Sequence, residues 1–502
     1  MINNSLKILA LFLLVLVHIP RVYSQSTEEF LLSAKEMAEL RAAVMANPDS
    51  MDLNEEYLAG FANPEQAEKE YAKIIAKHPK SATLQIAIAN KLGDFSPKRQ
   101  KYLLKAAEID PSNIENWENL ATDAAFKGNQ EDEINYIEQA MKASPDNLDL
   151  KVRYVFLFSH NPSEFSAKAN AFIEQYPKSE QALLIFNIAG LELENNEEKI
   201  RLGERMLTLF PDEESMVFLV AVTRLVNIYI MEGQYDQAIE VATKYKDKGE
   251  ADFGLGKNLK LAQDLKIYEA KMRAGKYAEA KEQIINLQYR TLNGNDLGSL
   301  LMLNKALALD ANKETQAAYD SLIIIQSTKP SLVVQEAIFA YGKKLGKTET
   351  DVKGDVYQLA ISNSKEALPF SIDSFDSEQK VTLDDLKGKV TLLTFWYPAC
   401  GPCRGEMPHF ENAIKGIDRN KFQYLGVNIY REQDHLVQPF IENTGFTFKP
   451  LGASKEIKKD YKIYAAPTNI IVDQEGRIVY SDFMVDSDNE QMLTLMLESL
   501  IK

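Results

Sequence analysis

Five prolines recur along the first half of this 502-residue chain at nearly equal intervals. Pro79, Pro111, Pro145, Pro177 and Pro211 are separated by 32, 34, 32 and 34 residues. The stretches between them are dense in Ala, Glu, Lys, Leu and Gln, with apolar residues three and four apart and no alternating β-type runs. Proline cannot continue the helix before it but can open the next one, so the interval predicts a repeated helix-turn-helix unit. Such units cannot bury their apolar faces singly and must stack, which commits residues 26–345 to an elongated all-α array.

The unit from Ile114 to Pro145 is the most regular, with Trp117, Leu120, Gly128, Ala140 and Pro145 at fixed offsets. It resembles a tetratricopeptide repeat, in which small residues let helices approach and Gly eases the turn. GQYDQA at Gly233–Ala238 and GKYAEA at Gly275–Ala280 repeat the turn but lie 42 residues apart, so an insertion interrupts the register. A weaker last unit runs up to Pro330. Trp117 and the alanines read as packing positions, and acidic runs such as NQEDE at 129–133 as solvated helix faces. The concave surface of the array suits a peptide or partner protein, whose identity the residues do not name.

The N-terminus carries Lys7, an apolar run from Ile8 to Val17, Pro20 and a small-residue site at Ser24. This is the layout of a signal peptide of residues 1–24, because the run is well short of the roughly 20 residues that span a bilayer. The expected location is exported, with the periplasm first and secretion as the alternative. The chain has 57 basic and 73 acidic residues, a formal charge of −16. Cleavage would delete Lys7 and Arg21 and no acid, taking the charge to −18. That balance argues against nucleic acid and against peripheral contact with an anionic membrane.

Past a linker at 346–365 the pattern changes to short β-type runs alternating with helices over 366–502, which predicts an α/β sheet covered on both faces. Expected strands are Val390–Trp396, Phe422–Tyr430, Asn469–Val472 and Arg477–Phe483. The chain is therefore multidomain, an all-α repeat followed by an α/β domain. Its two cysteines, Cys400 and Cys403, form one C-x-x-C where the first strand meets a helix. One such pair cannot make a four-thiolate zinc site, and the five histidines show no ligand spacing around it. A helix N-terminus offers free N–H groups and a positive dipole end that favour the Cys400 thiolate, to which Arg404 adds positive potential. Cys403, one turn on, can close a disulfide.

The run F-W-Y-P-A-C-G-P-C-R-G-E-M-P at 395–408, with D-L-K-G-K-V upstream and YKIYAAPTNIIVDQEGRIVY downstream, resembles the thioredoxin superfamily. It is most similar to the exported TlpA/ResA-like thiol-disulfide oxidoreductases. The resemblance implies that Cys400 attacks a client disulfide and Cys403 resolves the mixed disulfide, with no metal or organic cofactor required. It implies a client-binding lip at Ala466 and a cis Pro467, with Trp396 nearby, and a proton-shuttling role for Glu406. Read from the sequence alone, Glu406 could equally be a solvent-facing carboxylate favoured by the helix dipole. Pro408 is expected to kink the helix and His409 to face solvent.

Two departures from the family stand out. Thr394 replaces the buried aspartate of cytoplasmic thioredoxins, and Ala399 replaces the tryptophan that commonly precedes the first cysteine. The Gly-Pro dipeptide goes with a reducing pair, and an exported reductant needs a membrane electron donor. The expected partners are thus disulfide-bearing protein clients and such a donor. Two other functions stay open: a non-enzymatic binding protein built on the repeat, and a thiol peroxidase. The peroxidase pattern P-x-x-x-T-x-x-C is absent, since Leu393 and Tyr397 stand seven and three residues before Cys400.

Overall fold

A computed structural model describes residues 32–193, 195–249, 253–288, 297–487 and 489–501. The expected signal peptide lies outside the described residues. From Ala34–Ala46 to Glu349–Ser362 the chain is a succession of helices, each packed on its neighbours in sequence. The periodic prolines all fall in turns: Pro79 between Pro64–Lys77 and Ala82–Leu92, Pro111 between Arg99–Ile109 and Ile114–Phe126, and so on to Pro211. In four of these turns a cap follows two residues later. Ser81, Asn113, Asn147 and Ser179 accept backbone N–H groups of the next helix through their side chains. Proline thus ends one helix while Ser or Asn caps the next. Gly128, Gly233 and Gly275 supply the positive φ that closes the tight turns within pairs.

The array runs further than expected. Leu332–Lys344 and Glu349–Ser362 form another packed pair, so the segment 346–365 is mostly helix and not a linker. Thr348 and Asp351 make a reciprocal capping box at its start, with Asp351 N donating to Thr348 Oγ1 and Thr348 N to the Asp351 carboxylate. Val352, Val356 and Ala360 form its buried stripe.

Eight strands follow: β1 Lys365–Glu366, β2 Ser371–Ser374, β3 Lys380–Thr382, β4 Val390–Trp396, β5 Phe422–Asn428, β6 Lys449–Gly452, β7 Thr468–Val472 and β8 Arg477–Ser481. They build one sheet in the order β1-β8-β7-β4-β5-β6-β2-β3, with β4, β5 and β6 parallel and the other pairings antiparallel. Sequence patterning missed β6 because Pro450 sits inside it. Pro450 lacks an N–H but still accepts from Phe375 N through its carbonyl.

β4 is buried along its whole length, and its side chains alternate between two cores. Val390, Leu392 and Trp396 face the helix Gly401–Ala413 and the closing helix Glu490–Leu500. Leu393 and Phe395 face Leu386, Leu425 and Ile457 on the other side. The closing helix packs on Gly401–Ala413 and is itself covered by Glu349–Ser362. No helix among the described residues is long and apolar enough to cross a membrane.

Candidate active site

Between β4 and the helix Gly401–Ala413 the chain makes a closed turn. Cys400 N donates to the Tyr397 carbonyl at 2.9 Å, and Ala399 N donates to Gln433 Oε1 at 3.0 Å. Cys400 is then the helix N-cap, with extended backbone and with its Sγ accepting from Cys403 N at 3.2 Å. Gly401 and Pro402 occupy the first turn, where proline's missing N–H leaves no bond unmade. The first cysteine sulfur therefore sits at the positive end of the helix with an N–H aimed at it, an arrangement that stabilises a thiolate. Cys400 and Cys403 are joined as a disulfide, 1% and 2% exposed, while Pro402 beside them is exposed.

Phe395 pairs with Thr468 in the β4/β7 ladder, which sets Pro467 beside the strand end from which the cysteine turn departs. The Ala466–Pro467 peptide is cis, both residues are half-buried, and Ala466 packs on the cluster that holds the two cysteines. Tyr464, two residues earlier, is 87% exposed.

Trp396 does not belong to this lip. It is fully buried, packed between Phe440 and Phe448 with ring centroids 5.0 and 5.1 Å away. Strand parity explains the correction: Trp396 shares the inward face of Val390 and Leu392. The aromatic pair nearer the cysteine turn is Tyr397 and the partly exposed Tyr430, edge to face at 4.5 Å.

Glu406 lies on the same helix face as Cys403, three residues on, and is 3% exposed. A solvent-facing carboxylate is excluded. Its Oε1 accepts from Val485 N at 2.7 Å, and both carboxylate oxygens accept from Asn469 Nδ2. Burial pushes its pKa up to about 7, against the opposing pull of the Asn469 and Val485 donors. The Asn469 amide is itself fixed on both sides, since Oδ1 accepts from Thr394 Oγ1 at 2.7 Å and Nδ2 also donates to the Phe483 carbonyl. Thr394 thus connects to Glu406 through Asn469 from the position where cytoplasmic thioredoxins carry an acid. His409 is not solvent-facing either: its Nδ1 lies 3.1 Å from Glu490 Oε2 on the closing helix. Pro408 sits inside a helix that continues to Ala413.

Sequence reading missed Asn469 and Gln433. Asn469 shares a strand face with Ile471, and an amide beside a buried apolar residue is a signal for a polar partner across the sheet.

A disulfide at the N-cap of the first helix after a central parallel strand, flanked by a cis-proline loop, defines the class of thioredoxin-fold thiol-disulfide oxidoreductases. A family model described as the AhpC/TSA family matches residues 364–481. Thioredoxin-like protein YneN of Bacillus subtilis (strain 168) is 33% identical over 142 residues, 28% of this chain and 82% of YneN. Thiol-disulfide oxidoreductase ResA of the same organism is 28% identical over 121 residues, 24% of this chain and 66% of ResA. The thioredoxin domain of a thiol-disulfide oxidoreductase from Bacteroides vulgatus is a structural neighbour at 24% identity and a TM-score of 0.24, covering 28% of this chain and 96% of that one. The chain belongs to the thioredoxin-like family, through its C-terminal domain.

Proposed function

We propose that the protein is an exported thiol-disulfide reductase that exchanges disulfides with protein clients, its helical repeat acting as the module that engages them. The observation that carries this reading is the Cys400 sulfur at a helix N-cap, bonded to Cys403 N, with the buried Glu406 one turn beyond Cys403. In the reduced form, Cys400 thiolate attacks a client disulfide, forming one S–S bond and releasing one client thiolate. Cys403 then attacks Cys400, which frees the second client thiolate and restores the Cys400–Cys403 disulfide; two electrons pass to the client. Glu406, with a pKa near neutrality, suits taking the Cys403 proton as that sulfur becomes nucleophilic. Ala466, Pro467, Tyr464 and Tyr430 offer the surface on which an extended client segment would lie.

Removal of residues 1–24 as a signal peptide, and a membrane donor that returns the pair to its dithiol form, belong to the same proposal. The sequence departs from the peroxidase pattern at Leu393 and Tyr397, which favours exchange with disulfides over peroxide reduction.

A Cys403→Ser variant should accumulate mixed disulfides through Cys400 that reductant releases. Recovery of no client from the exported compartment, together with fast peroxide consumption by the wild type in stopped flow, would overturn the reading. The potential of the pair against glutathione separates reductase from oxidase, since it should fall nearer thioredoxin's (about −270 mV) than DsbA's (about −120 mV).

A further inference from the structure

Besides the cover that Glu349–Ser362 gives the closing helix, polar contacts fasten the redox domain to the repeat. Asn443 Nδ2 donates to the Lys127 carbonyl at 2.8 Å, and Ser487 Oγ donates to the Leu191 carbonyl at 3.2 Å. Between them, Glu133 Oε2 lies 3.8 Å from Arg404 Nη2 while its Oε1 lies 3.6 Å from Arg153 Nη2. Glu133 belongs to the repeat helix Gln130–Ala143 and Arg153 to Leu148–Phe156. Arg404 directly follows Cys403, and its N–H closes the first turn of the redox helix on the Cys400 carbonyl. A carboxylate of the repeat, 8% exposed, is thus the counter-charge of the arginine that stands beside the cysteines.

The consequence follows from the sign of the charges. A cation in the first turn of this helix adds to the positive dipole end and stabilises a thiolate, which favours the dithiol and makes a pair more oxidising. A carboxylate within ion-pair reach of that cation offsets part of the effect, and burial makes the offset larger than it would be in water.

We propose that Glu133 is a positioning residue of the redox pair: by holding Arg404 and offsetting part of its charge, it keeps the Cys400–Cys403 couple more reducing than the redox helix alone would make it. The repeat is then part of the redox centre as well as a client arm. This inference rests on the oxidoreductase reading above. The electrostatics of the cluster agree. Burial pushes the Glu133 carboxyl up while Arg404 and Arg153 pull it back down, and burial and Arg153 lower the Arg404 pKa while Glu133 raises it.

The test is equilibration of the full chain with glutathione, in which the protein disulfide and two glutathione thiols give the protein dithiol and glutathione disulfide. Glu133→Gln should shift this equilibrium toward the dithiol by about threefold to tenfold, a rise in potential of about 14 to 30 mV. Arg404→Gln should shift it the opposite way, and in that background Glu133→Gln should add nothing. An unmoved equilibrium in Glu133→Gln, a shift toward the disulfide, or an equal shift with and without Arg404 overturns the inference. If Glu133→Gln does not fold, Arg404→Gln decides alone, and a shift toward the dithiol or none at all overturns it. Wild-type protein that fails to exchange with glutathione would sink the oxidoreductase reading itself, and this inference with it.

Discussion

The Asn469 amide nitrogen lies 3.1 and 3.0 Å from the two carboxylate oxygens of Glu406, so one side chain on β7 restrains both oxygens of the acid behind the disulfide. Asn469 in turn faces Thr394 directly across the β4/β7 ladder. The acid is therefore held by the sheet, while the cysteines are held by the helix.

Glu406 makes stability fall with rising pH. Its pKa in the folded protein is about 7, above the ordinary 4.5, so the folded state keeps a proton that the unfolded state has lost between those values. The contribution is fully present below pH 4.5 and lost as pH rises through 7, a change of roughly 3 kcal/mol. Denaturant unfolding of the oxidised protein from pH 4 to 8 should show this decline, and Glu406→Gln should remove it. Parallel curves for the two proteins would contradict the assignment.

Asn469→Leu should move the same titration further upward. The substitution leaves Glu406 with only the Val485 N–H and strips partners from the Thr394 hydroxyl and the Phe483 carbonyl. Each stranded buried group costs about 1–3 kcal/mol. The pH profile of thiol alkylation in the reduced protein should shift to higher pH, and an unchanged profile would separate Glu406 from the cysteines.

Gly128→Ala and Gly233→Ala form a matched pair. Both glycines have positive φ, 66° and 69°, so alanine is strained at either. At Gly233 an added Cβ meets open space, whereas at Gly128 it would lie 2.6 Å from Thr444 Cγ2 and 3.1 Å from the Phe440 carbonyl, both in the redox domain. Gly233→Ala should cost about 1 kcal/mol and leave the redox domain seated. Gly128→Ala should cost more and raise hydrogen exchange in Asp434–Thr444. Equal effects of the two would mean that the turn does not bear on the interface.

Trp396→Ala should destabilise the domain by about 3–5 kcal/mol, as expected for a large side chain removed from a filled core. Its Nε1 has no hydrogen-bond partner among the described residues, so the loss is one of packing. In client reduction measured below the unfolding temperature, KM should stay unchanged, whereas substitutions at Tyr464 should raise it.

What the sequence made legible follows the range of the interactions. Turn prolines, their Ser and Asn caps and the C-x-x-C at a strand-to-helix junction are local, and each is written within a few residues. The helix Glu349–Ser362 was also written locally, in the capping box of Thr348 and Asp351, but Gly354 and the polar surroundings masked its apolar stripe. The family resemblance sets Trp396 beside the client lip, but strand parity with Val390 and Leu392 sends its side chain inward. Glu406 with Asn469, and Glu133 with Arg404, meet only once the sheet and the array are both built. No spacing rule connects them.

The helix that stands where a tether was expected also bears on how far the redox centre can reach. A flexible tether of about 20 residues would let its ends wander over a span of about 25 Å, averaging many placements. The 14 residues of Glu349–Ser362 are helical and span about 21 Å with a single value. Under the proposed function, a client held by the array would be measured as if by a ruler, its disulfide meeting Cys400 only at the matching distance from the point of attachment.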